Sequence, residues 1–324
     1  MGRHVTEALI ARGRRLVLLA RPASVASLRE HWAQQLKDQS QDDSTIRVVP
    51  WDSANTDDSS ALYSEKTQET PDALISCISS RSGGIDDAWA VDHRANQALL
   101  RSAQHSGIRH FTLLSAICVQ RPRLAFQHAK LAFEQELRAS HLSHSIVRPT
   151  AFYKSLSGQI RRVREGKPFF VFGDGELTRC KPIAEEDLAE YLCQTLERPE
   201  LQGVLPIGGP EPAITPMEQA KLLARCTGKP PRVRKIPAGA PAAIAKLLEL
   251  PGLVSRRWRD RAEFARIAHY YATESMLLWD EQRQCYDADA TPSFGSRTLE
   301  DSYRAQLAGL EEQTLGTHSV FDRA

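Results

Sequence analysis

The chain lacks several features that would point to common functions. Its six cysteines, Cys77, Cys118, Cys180, Cys193, Cys226 and Cys285, are scattered and never form a C-x-x-C pair. That excludes the usual spacings of zinc, iron–sulfur and dithiol redox centres. Thiols spaced in this way are expected in a reduced, intracellular protein. No run approaches the roughly twenty apolar residues of a membrane span, and the first residues lack the charged-then-apolar plan of a secretory signal. Charge of one sign is missing too: 42 basic against 40 acidic side chains leave a formal +2. This gives no broad electrostatic footprint for nucleic acid, which is not expected as a partner. Heptad arrays and internal repeats are also absent.

What is present is a globular pattern. The 324 residues, 41% of them hydrophobic, suffice for one elaborated domain or two closely joined ones. The opening stretch "MGRHVTEALIARGRRLVLLARP" has Val5, Ala8, Leu9 and Ile10 at helical spacing, then Gly13, then an unbroken apolar run from Leu16 to Ala20. This reads as helix, cap and buried strand. Such an order is the second half of a βαβ unit, in which a strand and a glycine-rich turn precede the helix. Only Gly2 is available here for that turn.

Strands and helices then alternate: helix "SVASLREHWAQQL", strand "TIRVVPWD", strand "DALISCISS", helix "AWAVDHRANQALLRSAQHSG", strand "HFTLLSAIC", helix "LAFQHAKLAFEQELRAS" and strand "SHSIVRP". Nearly continuous apolar strands between helices predict an α/β doubly wound parallel sheet of Rossmann type, covered on both faces. The first strand and most of the glycine-rich turn are expected to be missing from it, leaving an empty lane beside the first strand. Further on, "PFFVFGDGELTRCKPI" reads as a strand, a turn at Asp174-Gly175 and a second strand. Thr215-Pro216-Met217-Glu218 is a helix start with a capping box. The division expected is a nucleotide-binding domain over 1–210 and a smaller α+β substrate or lid region over 211–324.

In a doubly wound sheet, ligands bind where strands end. Arg21 follows the first observed strand, where an arginine suits the 2′-phosphate of NADP, or is a solvated surface charge. Asp52 ends the next strand, as an acceptor for an adenine amino group or as a cap. Ser79, Ser80 and Arg81 end the third, followed by "SGG", which permits close backbone approach or forms a plain loop. Ser115 ends "FTLLS", and Lys130 lies one strand-to-helix step later. Lysine at that place can hold nicotinamide-ribose hydroxyls, although a helical lysine is usually just solvated.

Ser115 followed by Phe126-x-x-x-Lys130 resembles an atypical short-chain dehydrogenase/reductase in which phenylalanine replaces the usual tyrosine. The blocks "SCISSRSGGIDDAWAVDHRAN", "HFTLLSAICVQRP", "FQHAKLAFEQEL", "SIVRPTAFYKSLSGQ", "GKPFFVFGDGELTRCKPI" and "YYATESMLLWD" are similar to the NADPH-dependent divinyl chlorophyllide 8-vinyl reductases, from Gly2 to about Phe321. The resemblance implies NADPH as cofactor and reduction of the 8-vinyl group of divinyl chlorophyllide or protochlorophyllide to ethyl.

Within that resemblance Gly2, Arg21, Asp52, Ser79 and Lys130 are the expected cofactor residues. Lys130, Ser115 and Tyr153 are the expected catalytic ones. Phe152, Tyr153, Lys154 and Tyr271 are expected against the tetrapyrrole substrate. Phe126 cannot donate a proton, so Tyr153, Lys154, Ser115 or water must. His269 is either a magnesium contact or structural, and no metal site is assigned. A late start site or a naturally shortened copy would account for the abbreviated beginning. Two other functions stay open: a non-catalytic NADP-binding sensor or assembly factor, and a reductase of another conjugated substrate. The expected location is cytoplasmic, or the plastid in a plant or alga, with peripheral contact to photosynthetic membranes, and the oligomeric state is left open.

Overall fold

The computed structural model describes residues 1–38, 45–52 and 70–309. The polar stretch 53–69 and the tail to Phe321, where the resemblance ends, lie outside them. Helix α1 (Gly2–Ala11) ends as its sequence implies: Gly13 adopts φ 65°, its N–H meets Ile10 O at 2.8 Å, and Arg14 N–H meets Leu9 O at 3.0 Å. Strand β1 (Leu16–Ala20), helix α2 (Val25–Asp38) and strand β2 (Ile46–Pro50) follow, with β1 and β2 paired in parallel from Leu16↔Ile46 to Ala20↔Pro50.

Next come β3 (Ala73–Ser76), α3 (Ile85–Ala88), a π-helical segment Trp89–Ala95, α4 (Asn96–His105), β4 (His110–Leu114), α5 (Ala125–Ala139) and β5 (Ser143–Pro149). The chain continues through α6 (Tyr153–Leu156), α7 (Ile160–Arg164), β6 (Phe169–Phe172), α8 (Glu185–Gln194) and β7 (Gly203–Ile207). It closes with α9 (Pro216–Thr227), β8 (Val233–Ile236), α10 (Ala240–Val254), α11 (Arg256–Thr273), the short antiparallel pair β9 (Leu278–Asp280) and β10 (Cys285–Asp287), and α12 (Leu299–Leu307).

Strands β3, β4, β5 and β7 form one parallel sheet, in that order. Successive residues serve opposite faces. Phe111, Leu113 and Ile146 pack with Leu99, Phe133 and Leu137 of α4 and α5, whereas Leu114 and Val147 pack with Val5 of α1 and Leu188 and Leu192 of α8. Burial on both faces is why these strands read as continuous apolar runs. No ladder joins β1 to β3 among the described residues. Yet Leu19 and Val49 pack against the same core cluster as Leu74 of β3, so both sheets belong to one core. Residues of β1 are only half-buried, apart from Ala20, while Phe111–Leu114 of β4 are buried. The lane expected between β1 and β3 therefore holds no hydrogen-bonded strand among the described residues.

Two features depart from the sequence-based expectation. The helix expected over 88–107 forms, but it carries a π segment in its first half. There the Asn96 side chain enters the ladder, donating to Asp92 O at 3.1 Å and Val91 O at 3.3 Å, which satisfies carbonyls that a widened turn leaves over. The second departure is at Asp174-Gly175. A turn is there, but no hairpin follows it: β6 pairs in parallel with β8 from Phe169↔Val233 to Phe172↔Ile236, and Cys180 makes isolated bridges to Ile214 and Met276. The smaller core gathers Tyr153, Ile160, Phe169 and Val171 with Leu222, Leu223, Leu299 and Tyr303. It draws on chain from both sides of residue 210, so the two bodies interleave in sequence.

Candidate active site

The candidate site lies where the strands end. Arg21 follows β1 directly and Asp52 lies two residues beyond β2; both are exposed. Ser79 lies three residues past β3, and Ser115 follows β4. Lys130 projects from α5 and is only 7% exposed. A buried ammonium needs a counter-charge, since desolvation would otherwise disfavour it strongly. Asp92 supplies one: Lys130 Nζ lies 2.9 Å from Asp92 Oδ1, and Asp92 is itself 1% exposed. The same oxygen accepts Ser79 Oγ at 3.0 Å and Ser80 N–H at 3.3 Å. Its other oxygen, Oδ2, is buried with no hydrogen-bond partner among the described residues. The structure thus brings Lys130 and Ser79 together around a carboxylate that sequence reasoning did not single out.

The π segment is what sets Asp92 there. Asn96, one turn on, accepts from Ser76 Oγ at 2.5 Å, tying the helix to the end of β3. The signal in the sequence was faint: Asp92 and Asn96, four apart, fall among Ala88, Ala95 and Leu99 on the apolar side of a helix.

Ser115 is not part of this cluster. Its Oγ donates to Glu134 Oε1 at 2.5 Å, and Glu134, one helical turn beyond Lys130, also accepts from both Arg148 Nε at 3.1 Å and Arg148 Nη2. Glu134 is fully buried, so this ion pair is a structural clamp between α5 and β5 that also holds Ser115.

Tyr153 differs from its sequence-based reading as a proton donor facing substrate. It is 2% exposed in the smaller core, and its hydroxyl donates to Arg297 O at 2.6 Å. Burial and the neighbouring carboxylates of Glu211 and Asp187 push its pKa up, so it keeps its proton. Phe152 is half-buried against the cluster of Val147 and Ile183. Lys154 is half-buried, and its Nζ has no partner among the described residues.

Phe126 packs with Ile117, Cys118 and Tyr270. Tyr270 is buried and donates to Cys118 O at 3.0 Å, its phenol pushed up to about 12 chiefly by burial. Tyr271 is 47% exposed and meets Tyr270 edge-on at 5.8 Å. His269 Nδ1 lies 3.3 Å from Ala238 O, which is a structural contact. Among the described residues, no group of three His, Cys, Asp or Glu side chains converges to hold a metal ion.

The residues fit a dinucleotide cofactor. Helix α1 begins at Gly2 without a side-chain cap, leaving its first amides open to an anion, and a side chain added at Gly2 would meet nothing within 4 Å. Arg21 offers a cation beside that end of the sheet, and the unpartnered Asp92 oxygen can accept from a hydroxyl.

The family model described as NAD(P)H-binding matches residues 1–199. The divinyl chlorophyllide a 8-vinyl-reductase of Oryza sativa subsp. indica, named chloroplastic, is 41% identical over 329 residues, covering 99% of this chain and 80% of its own length. The chain belongs to this reductase family. The Cucumis sativus relative of the same name is 46% identical over 257 residues, or 77% of this chain, which spans 61% of that relative's length. In fold, the chain is similar to an NADPH-dependent quinone oxidoreductase from Escherichia coli complexed with NADPH, with a TM-score of 0.63, 17% identity and coverage of 94% and 96%. It is also similar to UDP-glucuronic acid 4-epimerase from Bacillus cereus in complex with UDP-glucuronic acid and NAD, with a TM-score of 0.61, 16% identity and coverage of 94% and 95%. The chain thus has a Rossmann-like NAD(P)H-binding α/β fold with a parallel sheet.

Proposed function

We propose that the protein reduces the 8-vinyl group of divinyl chlorophyllide a, or of divinyl protochlorophyllide a, to ethyl with NADPH. The observation that carries this reading is the 41% identity to the rice reductase across 99% of the chain. Lys130, Asp92 and Ser79 form the centre of the site. Lys130 Nζ holds the nicotinamide-ribose hydroxyls, Asp92 keeps the ammonium aimed, and Ser79 fixes Asp92. Arg21 selects NADPH over NADH by pairing with the 2′-phosphate, and Gly2 and Asp52 complete the cofactor cradle. NADPH, when bound, supplies the hydride.

Conjugation with the macrocycle makes the outer vinyl carbon the acceptor, so negative charge spreads into the ring until a proton reaches the inner carbon. Tyr153 and Ser115 have their hydroxyls bonded to Arg297 O and Glu134. The proton therefore comes from Lys154 Nζ or from water. Phe152 and Tyr271 present flat apolar surface to the tetrapyrrole, and orientation does more than acid strength. A large apolar substrate of this kind places the working protein beside a membrane surface.

The test is incubation of the purified protein with NADPH and divinyl chlorophyllide, with chromatographic separation of vinyl and ethyl products. Ethyl product is expected. A second reading, NADPH binding without turnover, is favoured by Phe126 standing where a proton-donating tyrosine would be. It would be established by a normal NADPH titration with no product, and by a deletion strain that does not accumulate divinyl pigments.

A further inference from the structure

Helix α8 opens with three consecutive carboxyl groups, and two of them have partners. Glu186 meets His4 Nδ1 at 3.9 Å and Arg297 Nε at 3.7 Å. Asp187 accepts the N–H groups of Ser296 and Arg297, each at 3.0 Å. Glu185 is different. It is 7% exposed, and its Oε1 is buried with no hydrogen-bond partner among the described residues. An orphaned buried oxygen is costly, so one at the edge of a binding site points to a ligand.

Its place in the fold says which ligand. Ile183 bridges in parallel to Phe152, just past β5, with Ile183 N–H on Ala151 O at 2.9 Å and Tyr153 N–H on Ile183 O at 3.1 Å. Side chains alternate along this extended run: Ile183 packs with Met1 and Val5, whereas Ala184 packs on the other side with Tyr153 and Leu223. Glu185 comes next, on the Ile183 side, towards the start of α1. Helix α1 runs along α8 there, held by the His4–Glu186 and Arg12–Glu190 pairs. The first amides of α1 carry no side-chain cap and suit an anion. The charged groups around Glu185 are Glu186 on its own helix, the Met1 amine and His4 on the α1 side, Lys154 of α6, and Arg297 beyond Glu186. Burial raises the Glu185 pKa and Glu186 raises it further, while the Met1 amine and the main chain of Glu185 and Lys154 pull it back only in part.

We infer that Glu185 binds NADPH as a neutral carboxylic acid, its O–H donating to a pyrophosphate oxygen that the first amides of α1 also receive. A protonated carboxyl makes a short, strong bond to an anionic oxygen, whereas a carboxylate in the same place offers no proton and repels phosphate. NADPH binding is therefore tied to the proton on Glu185, and affinity declines as that proton is lost. The inference rests on the reading of the protein as one that binds NADPH, and it is measured without turnover.

The test is the NADPH dissociation constant, from cofactor fluorescence at about pH 5.5, 7 and 8.5, for the parent, Glu185→Gln and His4→Gln. Glutamine matches the shape of the side chain and keeps a neutral donor at every pH. The ratio of the parent constant to that of Glu185→Gln should rise at least tenfold from the lowest pH to the highest. The 2′-phosphate of NADPH, which loses its last proton near about pH 6, titrates alike with both proteins and drops out of the ratio. His4→Gln should follow the parent. A ratio that stays level with pH would overturn the inference while leaving NADPH binding in place. So would a His4→Gln variant that behaves like Glu185→Gln, which would give the pH dependence to the imidazole. A parent protein that binds no NADPH at any pH would overturn the inference and the cofactor reading together.

Discussion

Substituting asparagine for Asp92 preserves the shape of the side chain holding Lys130 while removing the charge that its ammonium faces at 2.9 Å. A charge-assisted bond of this kind contributes about 1.5–3 kcal/mol. Asp92→Asn should therefore weaken NADPH binding by roughly tenfold or more, measured by cofactor fluorescence titration. Lys130→Met should do the same, and the double variant should be little worse than either single one, because each removes the same interaction. Additive losses would mean that the two residues act separately. Glu134→Ala should instead destabilise the fold by about 3 kcal/mol in urea unfolding, since it leaves Arg148 without its buried partner. The thiols give a pH-dependent test. Burial pushes Cys77 and Cys193 up to about 11 and Cys180 up to about 12. At pH 8, alkylation followed by mass spectrometry should modify exposed Cys285 and spare these three. A raised folded-state pKa adds stability that is complete below the unfolded value of about 8.5. Melting temperatures should therefore fall as pH rises from there towards 11. The sequence singles out Lys130 from its spacing to Phe126 but not the Asp92 that the structure sets against it, because the position of Asp92 depends on a π turn.

At the scale of elements, composition and periodicity located the parallel strands because burial on both faces writes itself into continuous apolar runs. The capping box at Thr215 was equally legible: Thr215 N–H donates to Glu218 Oε2 at 2.8 Å, and Glu218 N–H donates to Thr215 Oγ1 at 3.2 Å. Thr215→Ala should cost about 1 kcal/mol of stability in chemical denaturation. The second strand expected after Asp174-Gly175 does not form, for a physical reason. Gly173 and Gly175, with φ of 61° and 84°, mark a turn, but a turn does not say which strand comes next. The partner of β6 is β8, more than sixty residues on, and no local pattern specifies a pairing that remote.

At the scale of the whole molecule, two cores share one chain that crosses between them more than once, and the candidate site lies at the strand ends of the larger core. The Rossmann-like plan was readable, and so was the family, because similarity runs along nearly all of the chain. Interleaving of the smaller core was not, since it depends on tertiary contacts of Tyr153, Ile160 and Phe169 with helices α9 and α12. The proposed hydride transfer from NADPH to the outer carbon of the 8-vinyl group is followed with deuterium. The protein would be incubated in ordinary water with divinyl chlorophyllide and NADPH deuterated at the transferable position of the nicotinamide, and the pigment examined by mass spectrometry and NMR. An 8-ethyl product carrying one deuterium, located in the methyl group, is expected. Ethyl product without deuterium, or deuterium at the inner carbon, would contradict it.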